Sequence, residues 1–207
     1  MRPICVLYED QRGPRQGFGL HALVKACVAD ALADQPRHLI EKALSDYRPL
    51  KGDTKLLGAC REELDLIASD GRPVVAVFDN DKIRHLLKLS AKAPDEHVER
   101  EIRKGGSRPD RLFIILLKQN MESVLTAAHE CDPRIDAERV KLATVKKDVL
   151  ERDAILTSVS GERFRAIRDC ILQKLPSFQA LVGLLCTQLR VSARRTRAVT
   201  RSGKKSR

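Results

Sequence analysis

The chain has 207 residues, 43% hydrophobic and 32% charged, with a formal net charge of +11; this length suits one α/β core with a helical appendage, and the composition excludes a wholly disordered chain. No apolar run approaches the ~20 residues that a bilayer span needs, so no membrane partner is expected. The start, MRPICVLYED, enters a strand without a signal-like apolar stretch, which points to a cytoplasmic protein.

In chain order, ICVLYE (Ile4 to Glu9) is continuously apolar until its last residue and reads as a buried strand. A Gly- and Arg-rich loop, QRGPRQGFG, follows, and LHALVKACVADAL then has helical spacing. HLIEKALSDY fits a short helix or a strand, and the Tyr47-Arg48-Pro49 run is expected to break either. DTKLLGACREELDLIAS reads as one helix with a candidate N-cap at its start and a stop at Asp70-Gly71. PVVAVFDND (Pro73 to Asp81) is a second buried strand that ends in acid, with DKIRHLLKL opening a helix behind it.

Residues 90–110 are highly charged and read as a surface helix plus loop. LFIILL (Leu112 to Leu117) is the third apolar strand, MESVLTAAHE is helical, and from Asp136 to Leu189 only helical patterns appear, broken at Gly161 and Pro176. Strand and helix in alternation imply parallel pairing with right-handed crossovers. The expected organisation is an α/β domain over residues 1–130, a helical extension over 131–190 packed on it, and a disordered basic tail over 191–207. The six cysteines are scattered with no CxxC pair, and read as reduced core thiols rather than a disulfide framework or a zinc site. Five dispersed histidines are assigned no role.

Each apolar strand ends with acid: Glu9 after the first, Asp79 and Asp81 after the second, Glu122 just past the third. The C-terminal ends of parallel strands share one sheet edge, with neighbours about 4.8 Å apart, and ligands bind there. If the chain stays extended, Asp79 and Asp81 face one side together while Asn80 points away. Several carboxylates gathered without a cation repel one another, and an all-oxygen set suits Mg²⁺ or Mn²⁺. Taken singly, each acid is also explained as a helix N-cap or a first-turn charge.

VLYE ending in Glu9, VFDND with Asp79 and Asp81, and FIILLKQNMESVL with Glu122 together resemble the Toprim family, in particular the bacterial stand-alone and overcoming-lysogenization-defect-type nuclease branch. The resemblance covers Ile4 to Leu125, and Asp10 stands where the family usually has Gly and offers a substitute ligand. It implies a Toprim-like Rossmannoid fold with a mainly parallel sheet. It also implies a Mg²⁺-dependent (or Mn²⁺-dependent) nuclease with Glu9, Asp79 and Asp81 catalytic and these three plus Glu122 as metal ligands. Lys118 is a candidate for neutralising phosphate charge, although a solvated lysine explains it as well.

Two rivals stand beside the nuclease. One is a haloacid-dehalogenase-like phosphatase with Asp79 as nucleophile and Asp81 as acid/base; the other is a non-catalytic nucleic-acid-binding protein on a degenerate Toprim-like fold. Arg190 to Arg207 hold eight Lys or Arg and no acid, leaving +3 of the +11 for the rest of the chain. Arg194, Arg195, Arg197, Arg201, Lys204 and Lys205 are therefore the expected contacts to a DNA or RNA backbone. KGDTK (Lys51 to Lys55), a Gly and Lys before a helix, is a weak phosphate-binding candidate.

Overall fold

The computed structural model describes residues 3–9, 19–62, 64–67, 69–106, 110–118, 121–145 and 148–202; for Met121 and residues 191–202 it describes the backbone alone. The elements run β1 (Cys5–Glu9), α1 (Gly19–Ala31), α2 (Arg37–Ala43), β2 (Tyr47–Leu50), α3 (Asp53–Arg61), α4 (Leu64–Ile67), β3 (Val74–Asp79), α5 (Asn80–Leu86), α6 (Asp95–Arg103) and β4 (Leu112–Leu117). They continue as α7 (Met121–Cys131), α8 (Ala137–Thr144), α9 (Val149–Ser158), a 3₁₀ turn at Glu162–Phe164, α10 (Arg165–Lys174) and α11 (Pro176–Ser202). The four strands form an all-parallel sheet in the order β2-β1-β3-β4.

Because successive residues of a strand point to opposite faces, the apolar runs divide between two cores. Ile4, Val6, Tyr8, Val75 and Val77 pack with α1, α2 and helices α7 to α11 on one face. Cys5, Leu7, Val74, Ala76, Phe78 and the alternate β4 residues Leu112, Ile114 and Leu116 pack with α3 to α6 on the other. Right-handed crossovers account for this partition: the chain moves one way from β1 to β2 and the other way from β2 through β3 to β4, so the connecting helices fall on opposite faces. The C-terminal helices thus share a core with the sheet, through residues such as Phe178, Leu181, Leu185 and Leu189. Among the described residues no single helix is long and apolar enough to cross a membrane.

A buried ion pair ties α1 to α10. Arg168, 1% exposed, donates through Nε and Nη2 to both oxygens of Asp30 at 2.6 and 3.0 Å, and through Nη1 to the carbonyls of Val159 and Gly161. All three guanidinium nitrogens donate, and the charge is paired with a carboxylate, the condition under which a buried charge is tolerated.

Four features differ from expectation. Tyr47–Leu50 is a strand despite Pro49. Val6 N–H donates to Asp46 O, so by the alternation of a parallel ladder residues 46, 48 and 50 face β1, and the missing N–H of Pro49 falls on the free edge, where it costs no ladder bond. The long helix expected after Gly52 is two pieces, α3 and α4, which nevertheless keep Leu56, Cys60, Leu64 and Ile67 on one buried face.

Third, the cysteines are not all thiols. Cys131 and Cys170 form a disulfide that staples the end of α7 to α10, while Cys5, Cys27, Cys60 and Cys186 are free and buried. A separation of 39 residues hid the pair from sequence spacing. The α11 backbone is helical to Ser202, across part of the stretch assigned to a disordered tail. Of that tail, the side chains of residues 191–202 and all of residues 203–207 lie outside the described residues.

Alkylation of the denatured, unreduced protein is expected to label four cysteines rather than six. Closing a loop of this length stabilises by about 3 to 5 kcal/mol, so the Cys170→Ser variant is expected to melt well below the parent in chemical denaturation.

Candidate metal site at the strand ends

Strand order reverses at β1: the chain steps from β1 outward to β2, then crosses back to β3 on the other side. In an open parallel sheet this reversal opens a crevice beyond the strand ends, because the crossovers on either side leave by opposite faces. Glu9 is the last residue of β1 and Asp79 the last of β3, so the two flank that crevice. Asp53 joins from the far side of β1, as the first residue of α3 behind β2. Gly52 stands in the N-cap position with φ of +86°, a conformation that favours glycine.

Asp79 has two jobs. Its Oδ1 caps α5, accepting from the backbone N–H of Asp81 at 3.2 Å and of Lys82 at 3.4 Å. Its Oδ2 lies 3.7 Å from the ammonium of Lys82, which also donates to Glu9 Oε2 at 3.1 Å. The two acids are therefore bridged by one positive charge. Both are well shielded, Glu9 17% and Asp79 21% exposed, whereas Lys82 is 53% exposed.

Asp53 belongs to the same electrostatic cluster. Burial first, then the Glu9 carboxylate, push its carboxyl up to about 6; Lys82 opposes this and Asp79 adds to it. Its Oδ1 is buried with no hydrogen-bond partner among the described residues. The Lys82 ammonium is itself held above its ordinary range: burial works against its charge, and Glu9, Asp79 and Asp53 outweigh burial.

The other predicted residues sit on the elements that follow the strands. The segment after Asp79 is helical, not extended, so Asp79 and Asp81 do not share a side as strand residues would. Asp79 ends the strand, and Asp81 is exposed in the first turn of α5. Asn80 accepts from Arg84, whose guanidinium also reaches Asp95 and so ties α5 to α6. Lys118 pairs with the same Asp95 at 3.0 Å. Glu122, in the first turn of α7, lines a cleft with Ser123, Thr126, Glu130, Lys174 and Leu175. Asp10 lies outside the described residues, as do the side chains of Arg194, Arg195, Arg197 and Arg201 and the whole of Lys204 and Lys205.

As the side chains stand, no three His, Cys, Asp or Glu among the described residues surround one point closely enough to hold a metal ion. Glu9 and Asp79 nevertheless already converge on one cation. Two carboxylates, completed by water and substrate phosphate, are the usual protein share of a Mg²⁺ site. Sequence reasoning passed over Asp53 and Lys82. The signal for Asp53 was a Gly-Asp pair opening the helix behind an edge strand, and for Lys82 a lysine three residues after a strand-ending Asp.

A histidine underpins this end of β1. His21 on α1 is buried; its Nε2 lies 2.7 Å from the Leu44 carbonyl, which can only accept, so Nε2 carries the proton and Nδ1 accepts from the Tyr8 hydroxyl at 2.9 Å. The ring stacks on Tyr47 of β2. Tyr8 directly precedes Glu9, so this chain of bonds anchors the backbone that carries the first acid.

Burial, the dominant cause, lowers the His21 pKa from 6.5 to about 4. The unfolded chain takes up a proton near pH 6.5 that the folded chain refuses until about 4. Stability is therefore full above 6.5 and is lost as pH falls through that window, by on the order of 3 kcal/mol. Asp53, raised to about 6, acts in the opposite direction over part of this window, so the His21 contribution is read as the difference between parent and His21→Gln in denaturation midpoints from pH 7 to 4, with the variant expected to lose less stability as pH falls.

No family model, no curated protein and no solved structure matches the chain.

Proposed function

We propose that the chain is a Mg²⁺-dependent phosphodiester hydrolase acting on nucleic acid, built on a Toprim-like domain. One observation carries this: carboxylates from the ends of two adjacent parallel strands, at the point where strand order reverses, are turned toward a common cation. Glu9 and Asp79 would hold the ion, which when bound polarises a phosphoryl oxygen and stabilises the departing oxygen. Mn²⁺ satisfies the same oxygen donors.

The remaining roles fall to the chain. Asp79 is fixed by its cap bonds, so its free oxygen is presented without reorganisation. Asp53, pushed up to about 6, has the proton affinity a general base needs near neutral pH and an oxygen with no competing donor among the described residues. In this reading Asp53 takes the proton of an attacking water. Neither Asp81 nor Glu122 is required for these steps. The basic residues 190–207 supply a sequence-independent attraction to the polymer backbone.

The Lys82 ammonium also favours a second possibility, since a cluster balanced by its own lysine can persist on a protein that binds nucleic acid without cutting it. The two are separated by incubating the protein with plasmid, single-stranded DNA and RNA in Mg²⁺, Mn²⁺ or EDTA. Cleavage is expected only with a divalent ion. It is expected to fall by at least about 100-fold in Glu9→Gln and in Asp79→Asn, because changes even in the outer shell of a metal site cost 10- to 100-fold. Asn keeps the helix cap, so loss in Asp79→Asn reports lost charge rather than lost fold. Salt-sensitive binding without cleavage would establish the binder, and phosphate release from small phosphomonoesters would establish a phosphatase.

Truncation after Arg190 is expected to weaken binding to DNA or RNA at low salt and to flatten its dependence on salt concentration, with the melting temperature unchanged. An unaltered affinity would remove the basic segment from the interface.

A further inference from the structure

We propose that Lys82 is a tethered counter-ion that occupies the cation position between Glu9 and Asp79, so that a divalent metal enters by displacing its ammonium; the proposal rests on the metal-dependent function above. Four observations carry it. The first is identity of donors. Asp79 has one oxygen committed to capping α5, so Oδ2 is the oxygen left for a cation, and Oδ2 is the atom that faces the Lys82 ammonium at 3.7 Å. Glu9 likewise offers Oε2 to the ammonium at 3.1 Å. A metal ion held by these oxygens and the ammonium cannot occupy the same place.

The second is the contrast in freedom. Glu9 and Asp79 are shielded and end strands of the sheet, while Lys82 is half exposed on the first turn of a helix, with a flexible stem and solvent to receive it. The ammonium can leave without the acids moving. The third is the charge balance. Glu9, Asp53 and Asp79 carry three negative charges when ionised against one on Lys82, so the exchange of a monocation for a dication lowers the residual charge of the cluster. The Asp53 Oδ1 is buried with no hydrogen-bond partner among the described residues, so the Lys82 ammonium does not reach it.

The fourth is connectivity. Lys82 lies three residues after Asp79, in the first turn of α5, yet bonds to an acid 73 residues away on β1, so the link spans the ends of β1 and β3. Once displaced, the ammonium remains tethered beside those ends, where a phosphate approaching the ion would meet it. Lys82 is therefore a positioning residue: it keeps the acids converged before the metal arrives and sets how tightly the metal is held.

The test measures Mn²⁺ binding directly, by the loss of the free-ion electron paramagnetic resonance signal, together with melting temperature in EDTA and in Mn²⁺. The proteins compared are the full-length parent, Lys82→Met, Lys82→Gln and Lys82→Arg. Removing a positive charge from the ion's position is expected to tighten Mn²⁺ binding by about tenfold or more in Lys82→Met and Lys82→Gln. Both variants are expected to melt lower than the parent in EDTA and to recover in Mn²⁺, and Lys82→Arg, which keeps the charge, is expected to follow the parent. Mn²⁺ affinity unchanged or weakened in both neutral variants overturns the displacement while leaving the metal site standing. Absence of Mn²⁺ binding in parent and variants alike overturns the metal site and the displacement with it. Tighter binding in the neutral variants without any nucleic-acid cleavage supports the displacement and rejects only the proposed hydrolysis.

Discussion

β1 lies between β2 and β3, paired in parallel with both, Val6 against Tyr47 and Cys5 against Val74. The candidate site depends on that arrangement. Parallel pairing places every C-terminal strand end on one edge, and right-handed crossovers send the chain to opposite faces on either side of β1. A crevice results that no side chain had to create. The residues that end β1 and β3 line it by position, so the chemistry placed there is a matter of which residue follows each apolar run.

Glu9, Asp53 and Asp79 gather negative charge against an apolar core, which is costly unless a cation compensates. The chain supplies Lys82, and the fit is incomplete, as the buried Asp53 oxygen without a hydrogen-bond partner among the described residues shows. The contrast with Arg168 is informative. There, a buried charge has both oxygens of Asp30 and two carbonyls, a closed network whose role is to hold α1 against α10. At the strand ends the network stays open, with a half-exposed lysine as its cation.

Much of the fold was legible because its signals are local. Three continuously apolar runs stand out as buried parallel strands, and the helical spacing of Leu20 to Leu32 or Val124 to Ala128 needs no knowledge of neighbours. Pro49 misled, since whether its missing N–H matters depends on which edge of the strand faces solvent. Cys131 and Cys170 misled for a related reason: their pairing requires α7 and α10 to pack side by side, and nothing in the sequence between two cysteines 39 positions apart announces it. Glu9 and Asp79 were legible as strand-ending acids. Asp81 was drawn in by assuming that the strand continued, whereas Asp79 caps a helix that begins at once.

The amino-acid sequence alone determined the α/β class, the three long strands, the acids at their ends and the concentration of positive charge in the last eighteen residues, because each follows from residue type and short-range periodicity. Tertiary structure alone decided that Glu9, Asp53 and Asp79 form one cluster, that Lys82 bridges two of them, and that His21 supports the end of β1. The physical reason is range. Propensity and burial act within a few residues of chain, while Coulomb attraction and hydrogen bonding act through space, between groups brought together only when the sheet closes.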